Sequence, residues 1–264
     1  MTPKDTPRRP LSSRLSDLPR AALMALFGPL LGPFLDQGGK ASLDALENSR
    51  HSFRRLDQER PLEEYEFVVL DTELTGLSPR KDEIVSIGAV RIREMRIQPK
   101  ETYFTLIRPR MDLPKLSTLI HQITPGELVH APSLEDALPG FVEFCQGRLI
   151  VGHHVGLDMS FLNRALRRFY GAGLNSPCLD TMRLAQAYEE ALWEGFYDQF
   201  NMKVSYHLPD LAEAFGLPTF TAHHALADAF QTAYLFLFLA RKLTKGTIRT
   251  LKDLHAAAKP RRFL

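Results

Sequence analysis

Four acidic residues in this chain stand in local patterns that suit the binding of divalent cations. They are Asp71 and Glu73 in FVVLDTELTGL, Asp158 in VGHHVGLDMSFL and Asp228 in AHHALADAF. Carboxylate oxygens are hard ligands, which select Mg²⁺ or Mn²⁺ rather than zinc. Because the three segments that carry these residues lie far apart in the sequence, only a folded structure can bring them together. The chemistry that such a group of acids supports is metal-assisted hydrolysis.

The first pair of acids depends on its local context. Asp71 follows a short apolar run, and residues two apart in a strand point to the same side, so Asp71 and Glu73 can face one cation. The spacing alone is weak evidence, because Asp57 and Glu59 share it within a charged helical stretch. The turn residues after Leu74 place the pair at the end of a strand.

The other two acids each have a simpler explanation. Asp158 opens a predicted helix, where the positive end of the helix dipole favours a negative charge whatever its function. Asp228 lies beside the apolar stripe of a long predicted helix, where an ordinary surface acid would also lie. Neither residue identifies a metal site without the other acids.

His223 and His224 stand five and four residues before Asp228, and both are candidates for a general base. At five residues, a histidine lies just before the helix and can turn toward the acids. At four, it shares the helix face of Asp228. A single histidine is more often structural than catalytic, and His153 has the same spacing to Asp158. A histidine within reach of clustered carboxylates can act as a base near neutral pH.

The elements that must position these residues indicate an α/β domain. Apolar runs predict strands, and helical periodicity predicts helices. The strands are expected at 67–70, 84–93, 101–108 and 148–152, with a turn near Gln98 and Pro99 between the second and the third. The helices are expected at about 133–146, 157–170, 180–191, 208–215 and 224–243. This order indicates a mixed central sheet flanked by helices.

Taken together, the motifs resemble those of the DEDD exonuclease superfamily in its histidine-containing branch. That branch includes the proofreading epsilon subunit of bacterial DNA polymerase III and ribonuclease T. DTELTGL is similar to the first motif of the family, VGHHVGLDMSFL to the second and HHALADA to the third. The resemblance covers about 66–243 and implies a ribonuclease H-like fold. It also implies a 3′→5′ exonuclease that releases nucleoside 5′-monophosphates from the ends of single-stranded DNA or RNA.

The resemblance assigns a role to each matching residue. Asp71, Glu73 and Asp228 would hold the first of two divalent cations, Mg²⁺ or Mn²⁺, and Asp158 together with Asp71 would hold the second. His223 would be the general base. His224 occupies the spacing that a tyrosine has in another branch of the family, and we favour His223 over it.

The sequence departs from the family at three positions, but none of them removes a cation ligand. Leu74 replaces the usual threonine of the first motif. His154 and Leu157 replace the usual asparagine and phenylalanine of the second motif. His154 bears on the network that supports Asp158, so the departures bear on rate rather than on reaction type.

The resemblance also implies where the terminal nucleotide binds. Leu74, Thr75, Gly76 and Leu77 would hold it by backbone contacts and stacking, together with the loop that carries Ile120 and His121. His154 is included in this substrate-binding group. The alternative for His121 is that it packs or caps a helix that begins near Thr124.

Three parts are predicted along the chain. Residues 1–60 comprise a disordered start and a helical extension at 42–60 with Ser42 as its cap. Residues 61–243 form the exonuclease domain, and residues 244–264 form a basic C-terminal tail. The last 24 residues, 241–264, contain eight Lys or Arg and one Asp, so this end could meet a polyanion.

The apolar run at 21–35 and the two cysteines bear on partners and location. The run is too short and too interrupted by Gly and Pro to span a bilayer, so no transmembrane span is expected. Cys145 and Cys178 form no C-x-x-C pair and suit a reducing compartment, which favours a cytoplasmic protein. Residues 1–60 are expected to join a polymerase or another protein, and a homodimer is expected from relatives. A competing hypothesis is a docked module that binds nucleic-acid ends with weak or no turnover.

Overall fold

The computed structural model of the chain describes residues 38–193, 205–243 and 248–258. Its strands are β1 (Phe67–Leu74), β2 (Ile84–Arg93), β3 (Arg96–Leu106), β4 (Leu149–Gly152) and β5 (Cys178–Asp180). Its helices are α1 (Gly38–Arg54), α2 (Lys115–His121), α3 (Pro125–Leu128), α4 (Leu134–Cys145), α5 (Val155–Tyr170), α6 (Thr181–Trp193), α7 (Leu208–Ala214), α8 (Ala225–Leu243) and α9 (Leu251–Ala257). The predicted disordered start and the apolar run at 21–35 lie outside the described residues.

The five strands form one mixed sheet in the order β3-β2-β1-β4-β5. β1 pairs antiparallel with β2 and parallel with β4, while β2–β3 is antiparallel and β4–β5 is parallel. The prediction of an α/β domain with a mixed central sheet flanked by helices is therefore confirmed. β1 lies at the centre of this sheet.

Both faces of β1 are buried, which explains its continuous apolar start. Phe67 and Val69 pack on one face in a cluster with α8, and the ring centroids of Phe67 and Phe236 are 5.1 Å apart. Val68 and Leu70 pack on the other face in a cluster with α4 and α5. The strand thus runs between two layers of helices and carries its last residues to one end of the sheet.

The turn between β2 and β3 was predicted near Gln98 and Pro99, and that prediction is wrong. The strands turn at Glu94 and Met95, which both have a positive φ, and Arg93 pairs with Arg96. Pro99 lies within β3, where the register shifts between Val90 and Arg91. Proline is tolerated there because β3 is an edge strand and the irregularity interrupts the hydrogen-bond ladder.

The helical extension was predicted at 42–60, but α1 runs from Gly38 to Arg54, so Ser42 does not cap its start. Tertiary contacts account for its earlier end. The Lys252 amide donates to the Gln58 carbonyl at 3.0 Å, and Pro61 pairs with Thr250, which keeps the chain extended after the helix. Local periodicity does not reveal such contacts.

Part of the predicted C-terminal tail is folded. α9 begins with a capping box of Thr250 and Asp253, and Leu251 and Leu254 are buried in the same cluster as Phe67. The division of the chain at residues 61 and 244 stays a prediction. Within the described ranges, no helix is long and apolar enough to cross a membrane.

Candidate active site

The end of β1 and the start of α8 bring three of the predicted ligands together. Carboxylate oxygens of Asp71, Glu73 and Asp228 all lie within 4.8 Å of one another. Asp71 and Glu73 are two apart on β1, so both point to the face that α8 covers. Asp228 lies in the first turn of α8. The three acids can therefore ligate one cation with oxygen donors.

Gly88 allows α8 to begin this close to β1. It pairs with Asp71 across the β1–β2 ladder. A Cβ atom on Gly88 would lie 2.2 Å from the Leu226 nitrogen and 2.3 Å from the Ala225 carbonyl carbon. Since real Cβ contacts are never this short, only glycine leaves room for the helix terminus. The distance between Asp71 and Asp228 thus depends on residue 88 having no side chain.

Asp158 approaches from the opposite face of β1. It is buried in the first turn of α5, and its Oδ1 accepts hydrogen bonds from the Thr72 amide at 3.0 Å and the Thr72 hydroxyl at 2.6 Å. Thr72 points away from Asp71 and Glu73 because it stands between them on the strand. Asp158 therefore lies beside the group of three acids, and two donors fix its carboxylate.

The site concentrates negative charge in a buried place. Burial, followed by the charges of Asp228, Asp158 and Glu73, raises the pKa of Asp71 well above its usual range. Burial is also the main cause that raises the pKa of Asp158 and of Asp228 to about 7. Among the described residues, no Lys or Arg forms an ion pair with Asp71, Asp158 or Asp228. Carboxylates held together without a cationic side chain fit a divalent cation as the compensating charge.

The structure separates the two candidate histidines. His223 is exposed, has a φ of 62°, and its amide donates to Asp228 Oδ2 at 2.9 Å. His224 is buried and stacks on Phe104, with ring centroids 4.9 Å apart, and its Nδ1 accepts from the Ala227 amide at 3.4 Å. The surroundings of His224 are those of a structural residue. His223 stands next to an acid of the site with its ring accessible.

The segment predicted to hold the terminal nucleotide is a compact loop after β1. Thr75 is buried, and its Oγ1 accepts from the Glu83 amide at 2.9 Å. A Cβ on Gly76 would lie 2.6 Å from the Asp82 carboxylate, so a side chain here would displace a carboxylate that accepts from the Ser78 amide. Leu74 is partly buried against the core, whereas Leu77 is 76% exposed. Only Leu77 of this group presents a large apolar side chain to solvent.

The second substrate segment was predicted to be a loop, but Ile120 and His121 are the last two residues of α2, whose capping residue Gln122 has a left-handed backbone. Ile120 is 49% exposed at the end of α2. His121 is buried, and its Nδ1 accepts from the Ile123 amide at 3.0 Å, which is the packing alternative left open by the sequence. The capping residue of α3 is Thr124, through a capping box with Glu127. His154 is exposed before α5 with a φ of 57°, and its amide donates to Asp180 Oδ1 at 3.1 Å.

Thr72 and Gly88 are the two site residues that sequence reasoning missed. The signal for Thr72 was its place between Asp71 and Glu73, where strand alternation turns its side chain to the opposite face. Gly88 interrupts an otherwise apolar strand, and a glycine inside a strand often marks a close approach of another backbone. Neither signal says which element approaches.

Comparisons with known proteins agree with this geometry. A family described as Exonuclease matches residues 68–236, a range that contains all four acids and His223. The DNA polymerase III subunit epsilon of Aquifex aeolicus is 33% identical over 177 residues, which cover 67% of this chain and 81% of that protein. A PolC-type DNA polymerase III of Thermotoga petrophila is 35% identical over 76% of this chain. The match spans only 14% of the length of the Thermotoga protein.

Solved structures share the fold at low sequence identity. Exonuclease X in complex with 5′ overhanging duplex DNA has a TM-score of 0.51 and 23% identity, covering 73% of this chain and 99% of that one. Exonuclease I of E. coli in complex with a dT13 oligonucleotide has a TM-score of 0.58 and 20% identity, covering 69% and 42%. These likenesses support the ribonuclease H-like fold predicted from the motifs.

Proposed function

The chain belongs to the exonuclease family, and from this premise we propose that it removes nucleotides from the 3′ end of single-stranded DNA or RNA. The observation that carries the proposal is the group of Asp71, Glu73 and Asp228, whose carboxylate oxygens lie within 4.8 Å. Asp158 stands beside them, and His223 is exposed at the edge of the group. This arrangement suits hydrolysis of a phosphodiester.

The four acids form two overlapping sets of cation ligands in the proposed reaction. Asp71, Glu73 and Asp228 would hold the first divalent cation, and Asp158, oriented by Thr72, would hold the second together with Asp71. Two such cations supply the positive charge that a phosphodiester needs before water can attack it. Mg²⁺ and Mn²⁺ both suit four carboxylates.

His223 is the proposed general base. The hydrogen bond from its backbone amide to the Asp228 carboxylate fixes the backbone beside the acids, while its exposed ring can reach the attacking water. The water loses a proton to His223 as its oxygen bonds to the terminal phosphorus. The bond from that phosphorus to the 3′ oxygen of the preceding nucleotide breaks, and this oxygen takes a proton from solvent to become the new 3′-hydroxyl, which releases a nucleoside 5′-monophosphate.

The exposed apolar side chains of the two predicted substrate segments are the proposed contacts of the terminal base. Leu77 faces solvent in the first segment, and Leu119 and Ile120 face solvent in the second. Such contacts are sequence-tolerant. The buried His121 would stabilise the second segment, and residues 74–76 would fix the backbone of the first. A polymerase is the proposed partner because relatives are named as DNA polymerase III subunits or polymerases.

The direct test uses 5′-labelled single-stranded DNA and RNA oligomers with Mg²⁺ or Mn²⁺. The native protein should produce a ladder that shortens from the 3′ end, and EDTA should abolish it. Comparison of the rates at which the DNA and RNA oligomers shorten identifies the preferred substrate. A ladder that persists in EDTA, or no ladder on either oligomer, would contradict the proposed reaction.

Two neighbouring histidines provide a matched test of the base. His223→Gln should lower kcat about a hundredfold with little change in thermal stability, because the ring is exposed. His224→Gln should lower stability, because it disrupts the buried stack on Phe104. Equal losses of kcat in both variants, after correction for folding, would remove His223 from the proposed role.

A further inference from the structure

A cleft of about 500 Å³ lies beside the loop that follows the acidic site. We propose that it binds the phosphodiester backbone of the substrate strand beyond the terminal nucleotide, an inference that rests on the proposed exonuclease function. Its lining includes six basic side chains, which are Arg80, Lys81, Arg108, Arg110, Arg164 and Arg168. A strand that enters the site by its 3′ end must continue past the acids, and a polyanion requires compensating positive charge there.

Chain connectivity and helix geometry place the cleft near the acidic site. One wall is residues 79–84, which follow directly on the loop that ends at Leu77. The other wall is α5, whose first turn carries Asp158. Arg164 and Arg168 lie six and ten residues farther along that helix, which is about 9 and 15 Å from Asp158 at 1.5 Å per residue. The cleft thus leads away from the acids along α5.

The basic side chains of the cleft are not neutralised by the protein. Among the described residues, none of the six forms an ion pair with a carboxylate. The two acids of the wall already accept other hydrogen bonds. Asp82 Oδ2 accepts from the Ser78 amide at 2.8 Å, and Glu83 Oε2 accepts from the Arg110 amide at 2.6 Å. The cleft therefore presents an excess of positive charge.

The chemistry of the lining fits a nucleic-acid strand better than a single small anion. The guanidinium carbons of Arg110 and Arg168 each lie 5.7 Å from the ring centroid of Phe169. Phe161, Ile84 and Ile107 form a buried apolar floor beneath the cleft. Guanidinium groups bind phosphate oxygens through two parallel hydrogen bonds, and aromatic surfaces stack on bases of any sequence. Arg164 also donates to the Pro79 carbonyl, which ties the two walls together.

A binding experiment tests the cleft without relying on turnover. Fluorescence anisotropy would follow a labelled oligodeoxythymidylate binding to the full chain with Mg²⁺, in an Asp71→Asn background that does not shorten the probe. The double substitution Arg164→Gln/Arg168→Gln should weaken binding about tenfold. It should also reduce the slope of log K against log salt by about 1.4, if each arginine contacts one phosphate.

Arg167→Gln is the matched control. Arg167 lies on the same helix and is exposed, but it does not line the cleft. It should leave both affinity and salt slope unchanged. Equal effects of the control and the double variant, an unchanged salt slope in the double variant, or no binding by the background protein would overturn the proposal.

Activity of the otherwise native chain separates this proposal from the catalytic one. The double variant should hydrolyse the p-nitrophenyl ester of thymidine 5′-monophosphate at the native rate, because that substrate has no strand beyond the terminal nucleotide. Its kcat/KM on a long oligomer should fall about tenfold. If the native protein hydrolyses neither substrate, the proposed function fails, and the anisotropy experiment still decides the cleft. An equal loss on both substrates would overturn the cleft proposal.

Discussion

Carboxylates near the two ends of β1 have opposite surroundings. Just before the strand, Glu66 lies 3.1 Å from Arg93 Nε and 2.8 Å from Arg148 Nε. Nearby, Glu101 lies 3.1 Å from Arg91 Nη1. At the other end of β1, about 17 Å away at 3.3 Å per residue, Asp71 has only carboxylates as the charged neighbours that shift its pKa. The protein neutralises its acids at one end and leaves the charge uncompensated at the other.

This difference separates acids that stabilise the fold from the acids proposed to serve chemistry. An ion pair at a partly exposed position contributes little but needs nothing from outside the protein. A group of buried carboxylates opposes folding unless protons or cations balance it. The core around Phe67 and Phe236 must therefore hold the acids together against their repulsion.

The largest expected effect comes from substituting Asp71 in the acidic group and, for comparison, Glu101 of β3, which is ion-paired near the other end of β1. Asp71→Asn should lower exonuclease activity roughly a thousandfold or more, because it removes a ligand shared by both cations. The same substitution should raise the stability of the metal-free protein by about 1 kcal/mol, because it removes buried charge. Glu101→Gln should do the reverse, with unchanged activity and a loss of about 1 kcal/mol. Urea denaturation with EDTA and the ladder assay measure both quantities. A loss of stability in Asp71→Asn would contradict the inference that the buried acids oppose folding.

A second prediction concerns the glycine that brings α8 to the acidic end. Gly88→Ala should lower activity about a hundredfold, because a shift of roughly 1 Å misplaces Asp228. It should also cost about 1–3 kcal/mol of stability, since the atoms that must move are backbone atoms. Gly156→Ala in α5 is the control, because nothing lies within 4 Å of its added Cβ. Native activity in Gly88→Ala would show that the close approach is not needed.

A smaller effect is expected from the side chain that orients Asp158. Thr72→Val keeps the shape but removes the hydroxyl that donates to Asp158 Oδ1 at 2.6 Å. Activity should fall about tenfold, and the Mg²⁺ concentration needed for half-maximal rate should rise. Thr72→Ser retains the donor and should recover most of the rate. If serine and valine behave alike, the hydroxyl is not what positions Asp158.

The last expected effect is a dependence of the stability of the metal-free protein on pH. Since the folded-state pKa values of Asp158 and Asp228 are raised to about 7 from 3.8, the folded protein holds protons that the unfolded chain has released. The metal-free protein should therefore lose stability as the pH rises from about 4 through 7. Mn²⁺ binds the deprotonated acids, so it should raise the Tm by a few degrees more at pH 8 than at pH 5.5. An Asp158→Asn variant should show a weaker dependence, and an equal rise at both pH values would contradict the assignment.

The elements were predicted best where a local pattern and the tertiary environment agree. β2 was expected at 84–93 and runs over those residues, because both of its faces are mostly buried and its residues favour strands. β5 was missed because three residues give no periodicity, and its pairing with β4 defines it. α9 was missed for a related reason. It is short and mostly polar, and its two leucines are recognised as core residues only once the fold buries them.

In the candidate site, too, some features follow from local patterns and others only from tertiary contacts. The choice between His223 and His224 stayed open on spacing, because one residue of difference allows either to approach Asp228. Burial of His224 against Phe104 distinguishes them, and Phe104 lies on a strand far away in the sequence. The basic cleft also joins segments from four parts of the chain, so no local pattern indicated it.

The sequence by itself determined the chemistry of the residues and their local placement. It placed Asp71 and Glu73 at the end of a strand and Asp158 and Asp228 near the starts of helices, because strand and helix periodicities are local properties. The tertiary structure alone decided the distances between them. Gly88 admits α8 to one face of β1, and Thr72 receives Asp158 on the other. Such contacts depend on packing between distant segments, which local periodicity does not encode.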